Sequence, residues 1–479
     1  MIARVLLVWI AVGLLVLGVG TFSQGEELEL SHLPIAFWLA LPAPIAVLRG
    51  GLGESGKPLE YPSVTLMVVS AWILIVGPSL VVESQAARYL YHYSDAALTL
   101  ARMFFFGWCL LFTVAAGRPR LRGLHVRPTI MDYIACAAFA MLVVGILVRA
   151  GNFSNYQSSR VRSLNTPIAG TTESSATVIG TTLFTLLPSF FFMILHRLRD
   201  RGGQWLLVMA GFLSSWILLF LLGSRTGVAV GVASCLLLCR AMGLRLRTEV
   251  LLTLTAAVPA TLILILLYRS ALSTSETEKS VLDMITIATD VTSSLDEQEA
   301  QTDALDLVSK NARSRLWYAQ QFSVLIDHWL DEGAALRGTL FSGVISSVPT
   351  LIFNEKNDLA ADLNFEVVMS TTQRFPSMDL APMPWMQWLY ELGILGLIVG
   401  ALTYAWIVRT IEQRISGTRS PYEVMFWIGV FVYIVPPEHT TDTLVLSARG
   451  YIIQILLISA GARALTWLTT LGRRAHATQ

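Results

Sequence analysis

Long apolar runs constrain this chain more than any other feature, because a run as long as a bilayer is thick can cross it only as a helix. Hydrophobic residues make up 54% of the 479 residues and charged residues 14%, and the mean hydropathy is +0.61. About twelve runs reach spanning length, at 2–21, 33–48, 63–82, 95–116, 129–149, 176–196, 204–222, 225–242, 249–268, 385–408, 422–437 and 443–467. The sequence therefore predicts an all-α polytopic membrane protein.

The loops between these runs differ in charge, and the difference predicts the orientation. Lysine and arginine accumulate on the cytoplasmic side of a membrane. Arginines cluster in alternate loops, at 118–127, 197–201, 240–247, 409–419 and 473–474. Those loops and both termini are therefore predicted to be cytoplasmic. The remaining loops face outward, toward a periplasm or its equivalent, so we expect a multi-pass membrane protein.

Three parts follow along the chain: residues 1–268 with nine predicted transmembrane helices, a loop at 269–384, and residues 385–479 with three more helices. The loop is too long for a simple connector. A helical period runs from Asp296 to Trp329, which predicts a large, mainly helical periplasmic cap. The next segment, Leu336–Phe353, is apolar but interrupted by Gly and Pro, so it either lies on the membrane surface or re-enters the membrane.

Two arginines interrupt apolar sequence and are the first candidates for chemistry. Arg225 lies in a Gly-Ser-Arg-Thr-Gly stretch between two spans, and Arg449 lies about two turns inside the last span. A guanidinium stays charged and binds phosphate through two parallel hydrogen bonds. Both residues are therefore candidate catalytic groups that hold a diphosphate. The structural alternative is that Arg225 pairs with Asp442 or Glu438, while Arg449 extends to the interface.

Further charged residues on the outward side are candidates for binding the diphosphate or a glycan. They are Arg160, Arg162, Arg313, Arg315, Arg374 and Asp379. For the first four of these, the alternative is that they belong to solvated loops.

Glu391 and His439 complete the candidate catalytic set. Glu391 lies about two turns into the predicted span at 385–408, and a carboxylate there is either a base or the ion-pair partner of an arginine. Trp385, Trp388 and Tyr390 in the same helix are predicted to form an aromatic belt at the interface. His439 lies near the outer mouth of the last helices, where it is either a general base or a polar loop residue.

Several motifs are absent from the sequence. It has no Asp-x-Asp, no His-x-x-x-His and no Gly-rich phosphate loop ending in Gly-Lys-Ser. The four cysteines lie in apolar segments without the spacing of metal ligands, so they are predicted to be small hydrophobic residues. Neither a metal, another cofactor nor a nucleic-acid partner is expected.

Four short stretches, in this order along the chain, together resemble the bacterial O-antigen polymerases of the Wzy type, which share a superfamily with the O-antigen ligases. They are Gly223–Gly227, Val348–Lys356, Glu391–Gly396 and Ala448–Gly450. The topology is also similar, with many helices and one large outward loop in the second half. The resemblance implies a glycosyltransferase that joins undecaprenyl-diphosphate-linked repeat units at the periplasmic face of the bilayer. It also implies partners in the same pathway, namely a chain-length regulator and a flippase.

One departure from the superfamily distinguishes its two activities. The ligases carry a His-Asn pair about nine residues before the Glu-Leu-Gly, whereas this chain has Pro382-Met383 there. This favours a polymerase and leaves the general base unassigned. The alternatives are a ligase that transfers the glycan to a lipid core, and a transporter that flips lipid-linked oligosaccharide.

Overall fold

The computed structural model describes residues 2–24, 29–50, 63–83, 92–117, 318–347 and 383–417, with scattered residues at 209–238, 359–368 and 427–467. This part of the chain is mostly helical and contains no strand. Its helices are α1 Ile2–Gln24, α2 His32–Ala40, α3 Pro42–Gly50, α4 Val64–Val81, α5 Asp95–Ala116, α6 Tyr318–Glu332, α7 Ser342–Ser347 and α8 Pro384–Gly417. A 3-10 turn, Thr339–Phe341, precedes α7.

Four described stretches are long and apolar enough to cross a membrane: His32–Arg49, Val64–Val81, Asp95–Ala116 and Pro384–Ile415. Helix α1 adds a shorter apolar stretch, Val5–Thr21. Helices are thereby confirmed at the predicted runs 2–21, 63–82 and 95–116. The predicted run 33–48 contains α2 and α3, and the run 385–408 lies within α8. The other seven predicted runs lie wholly or largely outside the described residues.

The chain divides into two compact units. The first comprises Met1–Arg122, Ser309–Gly417 and Val430–Tyr451, and the second comprises Gly123–Val308, Thr418–Gly429 and Ile452–Gln479. All eight helices α1–α8 belong to the first unit.

The start of α4 is fixed by its own cap residue and by a side chain from a neighbouring helix. Ser63 caps α4 by accepting a hydrogen bond from the Leu66 N–H at 3.1 Å, and Glu412 of α8 accepts one from the Val64 N–H at 2.6 Å. These bonds satisfy N–H groups that a helix leaves without an internal partner. We call this side of the unit the Glu412 end. The opposite side is the Gly393 end.

An aromatic cluster fills the middle of the first unit. The ring of Trp72 in α4 lies 5.7 Å from that of Trp385 and 6.1 Å from that of Tyr404, both in α8. The Trp108 ring of α5 lies 5.9 Å from Trp385 and 5.8 Å from Tyr404. All four side chains are buried. The cluster therefore joins α4, α5 and two separate parts of α8 in one core.

Helix α8 reverses direction at Gly393 and is a hairpin of two arms, 384–392 and 394–417. Gly393 has φ 62° and ψ −146°, a conformation open to glycine alone. A Cβ added at Gly396 would lie 2.8 Å from the carbonyl carbon of Trp388, although eight residues of straight helix would separate the two by about 12 Å. The prediction of one continuous span at 385–408 is therefore wrong, because Gly393 folds the first arm back along the second.

The short arm runs from the middle of the unit to the Gly393 end. Trp385, near its start, packs in the central aromatic cluster, and Glu391, near its finish, lies about 9 Å further along the helix axis. Helix α6 packs at the same end: Ala319 donates to Ser79 near the end of α4, and both carboxylate oxygens of Asp327 bind Ser94 at the start of α5. The Gly393 end is thus closed by α6 and by the turn of the hairpin.

Candidate functional site

Glu391 is the predicted site residue that falls within the described part of the chain, and it is buried, with 3% of its surface exposed. Its Oε1 accepts a hydrogen bond from the Thr339 N–H at 2.6 Å, and its Oε2 accepts one from the Gly338 N–H at 2.9 Å. A carboxylate that receives two backbone N–H groups at the start of a helical turn is stabilised by both. Within the described part of the chain, Glu391 is thus bound to backbone N–H groups. The candidate arginine partners lie outside it, so both the ion pair and the catalytic role stay predictions.

Gln387, one turn before Glu391, extends the network in two directions. Its Nε2 donates to the Thr339 carbonyl oxygen at 3.0 Å, and its Oε1 accepts from the Thr441 N–H at 2.9 Å. The indole N–H of Trp388 donates to the Thr441 hydroxyl at 3.1 Å. Segments from three distant parts of the sequence, near 339, 387 and 441, therefore meet along the short arm.

A second group of polar residues surrounds Tyr390 at the Gly393 end. The rings of His328 and Tyr390 are stacked, with 6.1 Å between their centroids and 15° between their planes. Its Nδ1 lies 3.2 Å from Oε1 of Glu332, one turn further along α6. Exposed Arg337 lies within electrostatic range of the Tyr390 hydroxyl. Three groups therefore lie together here: a buried histidine that a carboxylate orients, a buried phenol, and an exposed guanidinium.

Trp385 and Tyr390 of the short arm do not lie where an aromatic belt would place them. Trp385 is fully buried, Tyr390 is 1% exposed, and Trp388 is half-buried. Because the short arm folds into the unit, its aromatic side chains pack in the core instead of facing the interface. The aromatic-belt prediction is therefore wrong for Trp385 and Tyr390.

The other predicted site residues lie outside the described part of the chain, so their assignments stay predictions. They are Arg225, Arg449, His439, Arg160, Arg162, Arg313, Arg315, Arg374 and Asp379.

Sequence reasoning missed Gln387 and Thr339, which hold the network together, and Gly393, which makes the hairpin. One signal was present, since Gln387 and Glu391 are four residues apart and share a helix face within an apolar run. Two polar residues on one face of such a run indicate a shared polar partner. No pattern in the sequence identifies that partner as the backbone of residues 338 and 339.

The described residues hold no group of three or more His, Cys, Asp or Glu side chains that could bind a metal ion. Their polar groups instead connect chain segments to one another. The network fixes the backbone around the turn of the hairpin.

No protein-family model, no curated protein and no solved structure matches this chain. Its function is therefore argued from the sequence motifs and from the geometry at the Gly393 end.

Proposed function

We propose that this protein is a metal-independent membrane glycosyltransferase of the Wzy type, which polymerises undecaprenyl-diphosphate-linked repeat units at the periplasmic face of the bacterial inner membrane. The observation that carries the proposal is the network along the short arm, which joins Glu391 and Gln387 to Thr339 and Thr441. Glu391 opens one of the four stretches that resemble the family, and Thr441 follows the candidate base His439 by two residues. The network thus supports a site at the Gly393 end.

The charges of the described helices support an outward Gly393 end. Arg409 and Arg414 are exposed in the last turns of α8, towards the Glu412 end. Arg49, at the end of α3, donates to the Val114 carbonyl near the end of α5. Because basic residues accumulate on the cytoplasmic side, we assign the Glu412 end to the cytoplasm and the Gly393 end to the periplasm.

The proposed reaction needs few groups from the protein, because the donor is already activated. A hydroxyl of one lipid-linked repeat unit attacks the anomeric carbon of the glycan on the other carrier. The new glycosidic bond forms, the bond to the diphosphate breaks, and undecaprenyl diphosphate leaves with the electron pair while a base takes the hydroxyl proton. Arg225 and Arg449 are assigned to the charge that develops on the diphosphate. The Gln387–Glu391 network holds the surrounding backbone in place.

Deleting the gene and separating the surface polysaccharide on a gel tests this function. A polymerase predicts lipid capped by a single repeat unit in the deletion strain, and recovery of the ladder when the gene is restored. Loss of all capped lipid would point instead to the ligase or the flippase. A normal ladder would contradict all three functions.

A further inference from the structure

Residues 333–347, which comprise the loop after α6 and the short helix α7, carry three large apolar side chains that face away from the protein. Leu336 is 70% exposed, Phe341 62% and Val344 48%. Exposed apolar side chains on a membrane protein contact either lipid or another protein. Their depth in the bilayer distinguishes the two.

The loop is held firmly although its side chains are exposed. Ala335 donates to the Tyr390 carbonyl oxygen at 2.9 Å, and both Gly338 and Thr339 donate to Glu391. Between these bonds Leu336 adopts φ 47°, in the left-handed region that residues with a side chain rarely enter. The hydrogen bonds on either side thus hold Leu336 in an unfavourable backbone conformation with its side chain exposed. A flexible loop would relax out of this conformation.

The second arm of α8 gives the depth of this loop. From Glu412, which bonds Val64 at the start of the apolar helix α4, to Gly393 the second arm rises about 28 Å as a helix, close to the roughly 30 Å of a bilayer's hydrocarbon core. Gly393 therefore lies near the boundary between the hydrocarbon and the headgroups. Glu391 and Gln387, which bind the loop, lie about 3 Å and 9 Å below Gly393 along the short arm. The loop is consequently placed at this boundary.

The residues that surround the cluster fit a lipid rather than a protein partner. At the same end, Ile394 and Leu395, the first residues of the second arm of α8, are also apolar and 49% and 64% exposed. Exposed Arg337 lies beside Leu336. Apolar side chains with an adjacent arginine are typical of segments that lie in the interface, with the cation at the lipid phosphates.

We propose that residues 333–347 form a lipid-binding wedge in the leaflet at the Gly393 end. Leu336, Phe341 and Val344 insert among the acyl chains of membrane phospholipid, and Arg337 contacts the phosphate groups. This inference does not depend on the proposed glycosyltransferase activity, since it concerns the depth of the loop and not the reaction.

Fluorescence quenching in vesicles tests the proposal. Single cysteines replace Phe341, Val344 or Arg337 in the full chain, in a background where Cys109, Cys136, Cys235 and Cys239 are changed to alanine. Each variant is labelled with bimane and reconstituted in phosphatidylcholine and phosphatidylglycerol vesicles. Leu395→Cys is the membrane-embedded reference. Glu332→Cys is the aqueous reference, because its side chain is 63% exposed at the same end.

We expect Phe341→Cys and Val344→Cys to be quenched several-fold more by lipids with a nitroxide on the upper acyl chain than by aqueous iodide. Arg337→Cys should respond most to a nitroxide on the headgroup. Iodide quenching of both apolar positions equal to that of Glu332→Cys would overturn the proposal. So would protection from both quenchers, because the loop would then be covered by protein. The use of two apolar positions guards against one variant that fails to fold.

Discussion

The hairpin of α8 predicts a loss of stability when Gly396, which packs against Trp388 of the short arm, gains a side chain. In Gly396→Ala the new Cβ would lie 2.8 Å from the carbonyl carbon of Trp388 and 2.9 Å from the Cβ of Leu392. Ordinary carbon contacts need about 3.5–4.0 Å. Since Trp388 contributes backbone here, no side-chain rotation relieves the overlap, and the arms must separate by roughly 1 Å.

The expected loss of stability follows from this separation. Overpacking a tightly packed site costs about 1–3 kcal/mol, and the backbone clash places Gly396→Ala at the upper end. Replacing a helical glycine with alanine returns roughly 0.5–1 kcal/mol through helix propensity. The net prediction is a destabilisation of about 2 kcal/mol, the difference between these two effects.

Gly107→Ala in α5 is the matched control, because a Cβ there meets nothing within 4 Å. Both variants would be purified in the same detergent, and their Tm values compared by tryptophan fluorescence during heating. Because unfolding of such proteins is commonly irreversible, the comparison uses one heating rate. We expect Gly107→Ala to match or slightly exceed the wild type, and Gly396→Ala to unfold several degrees lower. Equal Tm values for the two variants would refute the hairpin.

Five further substitutions test the site and the hairpin. Glu391→Ala leaves two N–H groups without their acceptor, at about 1–3 kcal/mol each when buried, and Glu391→Gln should lose less stability in the same melting assay because one oxygen remains an acceptor. Glu412→Ala breaks the bond to Val64 at the opposite end, so it should lower the Tm but keep the polysaccharide ladder when the two variants are equally abundant in the membrane. Glu391→Ala should lower the Tm and also lose the ladder. Equal loss of the ladder in both variants would contradict a special role of the Gly393 end. Gly393→Ala forces a side chain into a glycine-only conformation at about 1–3 kcal/mol and 3.1 Å from Nε1 of Trp329, so a wild-type Tm would argue against the reversal. Arg225→Lys keeps the charge and loses the two-pronged hydrogen bonding, and we expect polymer formation to fall roughly tenfold, about 1.4 kcal/mol of transition-state stabilisation; full activity would contradict two-pronged diphosphate binding.

Hydropathy alone was sufficient to predict the positions of α1, α4 and α5, because each helix is one apolar run bounded by polar residues. Ser63 and Ser94 mark the starts of α4 and α5 in the sequence as well as in the structure. The predicted run 33–48 contains two short helices, α2 and α3, which meet at Leu41 and Pro42. Proline at the first position of a helix is a known signal, so this break was available to sequence reasoning.

The hairpin of α8 was not visible to the same reasoning, since both of its arms are apolar and a hydropathy window averages across the turn. Only the backbone angles of Gly393 and the close approach of Gly396 to Trp388 separate a reversal from a straight helix. The burial of Trp385 follows from that reversal. An interfacial position was the reasonable expectation for a straight helix, and it fails because the arm folds into the core.

The hydrogen-bond partners of Glu391 could not be predicted from the sequence either. An embedded carboxylate predicts a role as a base or as the ion-pair partner of an arginine. The partner in the structure is the backbone of Gly338 and Thr339, more than fifty residues away in the chain. Backbone donors carry no sequence signature, so tertiary structure alone could reveal them.

The most direct test of the proposed function uses the purified protein in proteoliposomes with lipid-linked repeat units extracted from the deletion strain. A polymerase predicts a ladder of longer lipid-linked glycans without added metal or nucleotide, with one undecaprenyl diphosphate released for each repeat unit joined. Repeat units that stay single in the presence of folded protein, or that transfer only to an added lipid core, would contradict the account.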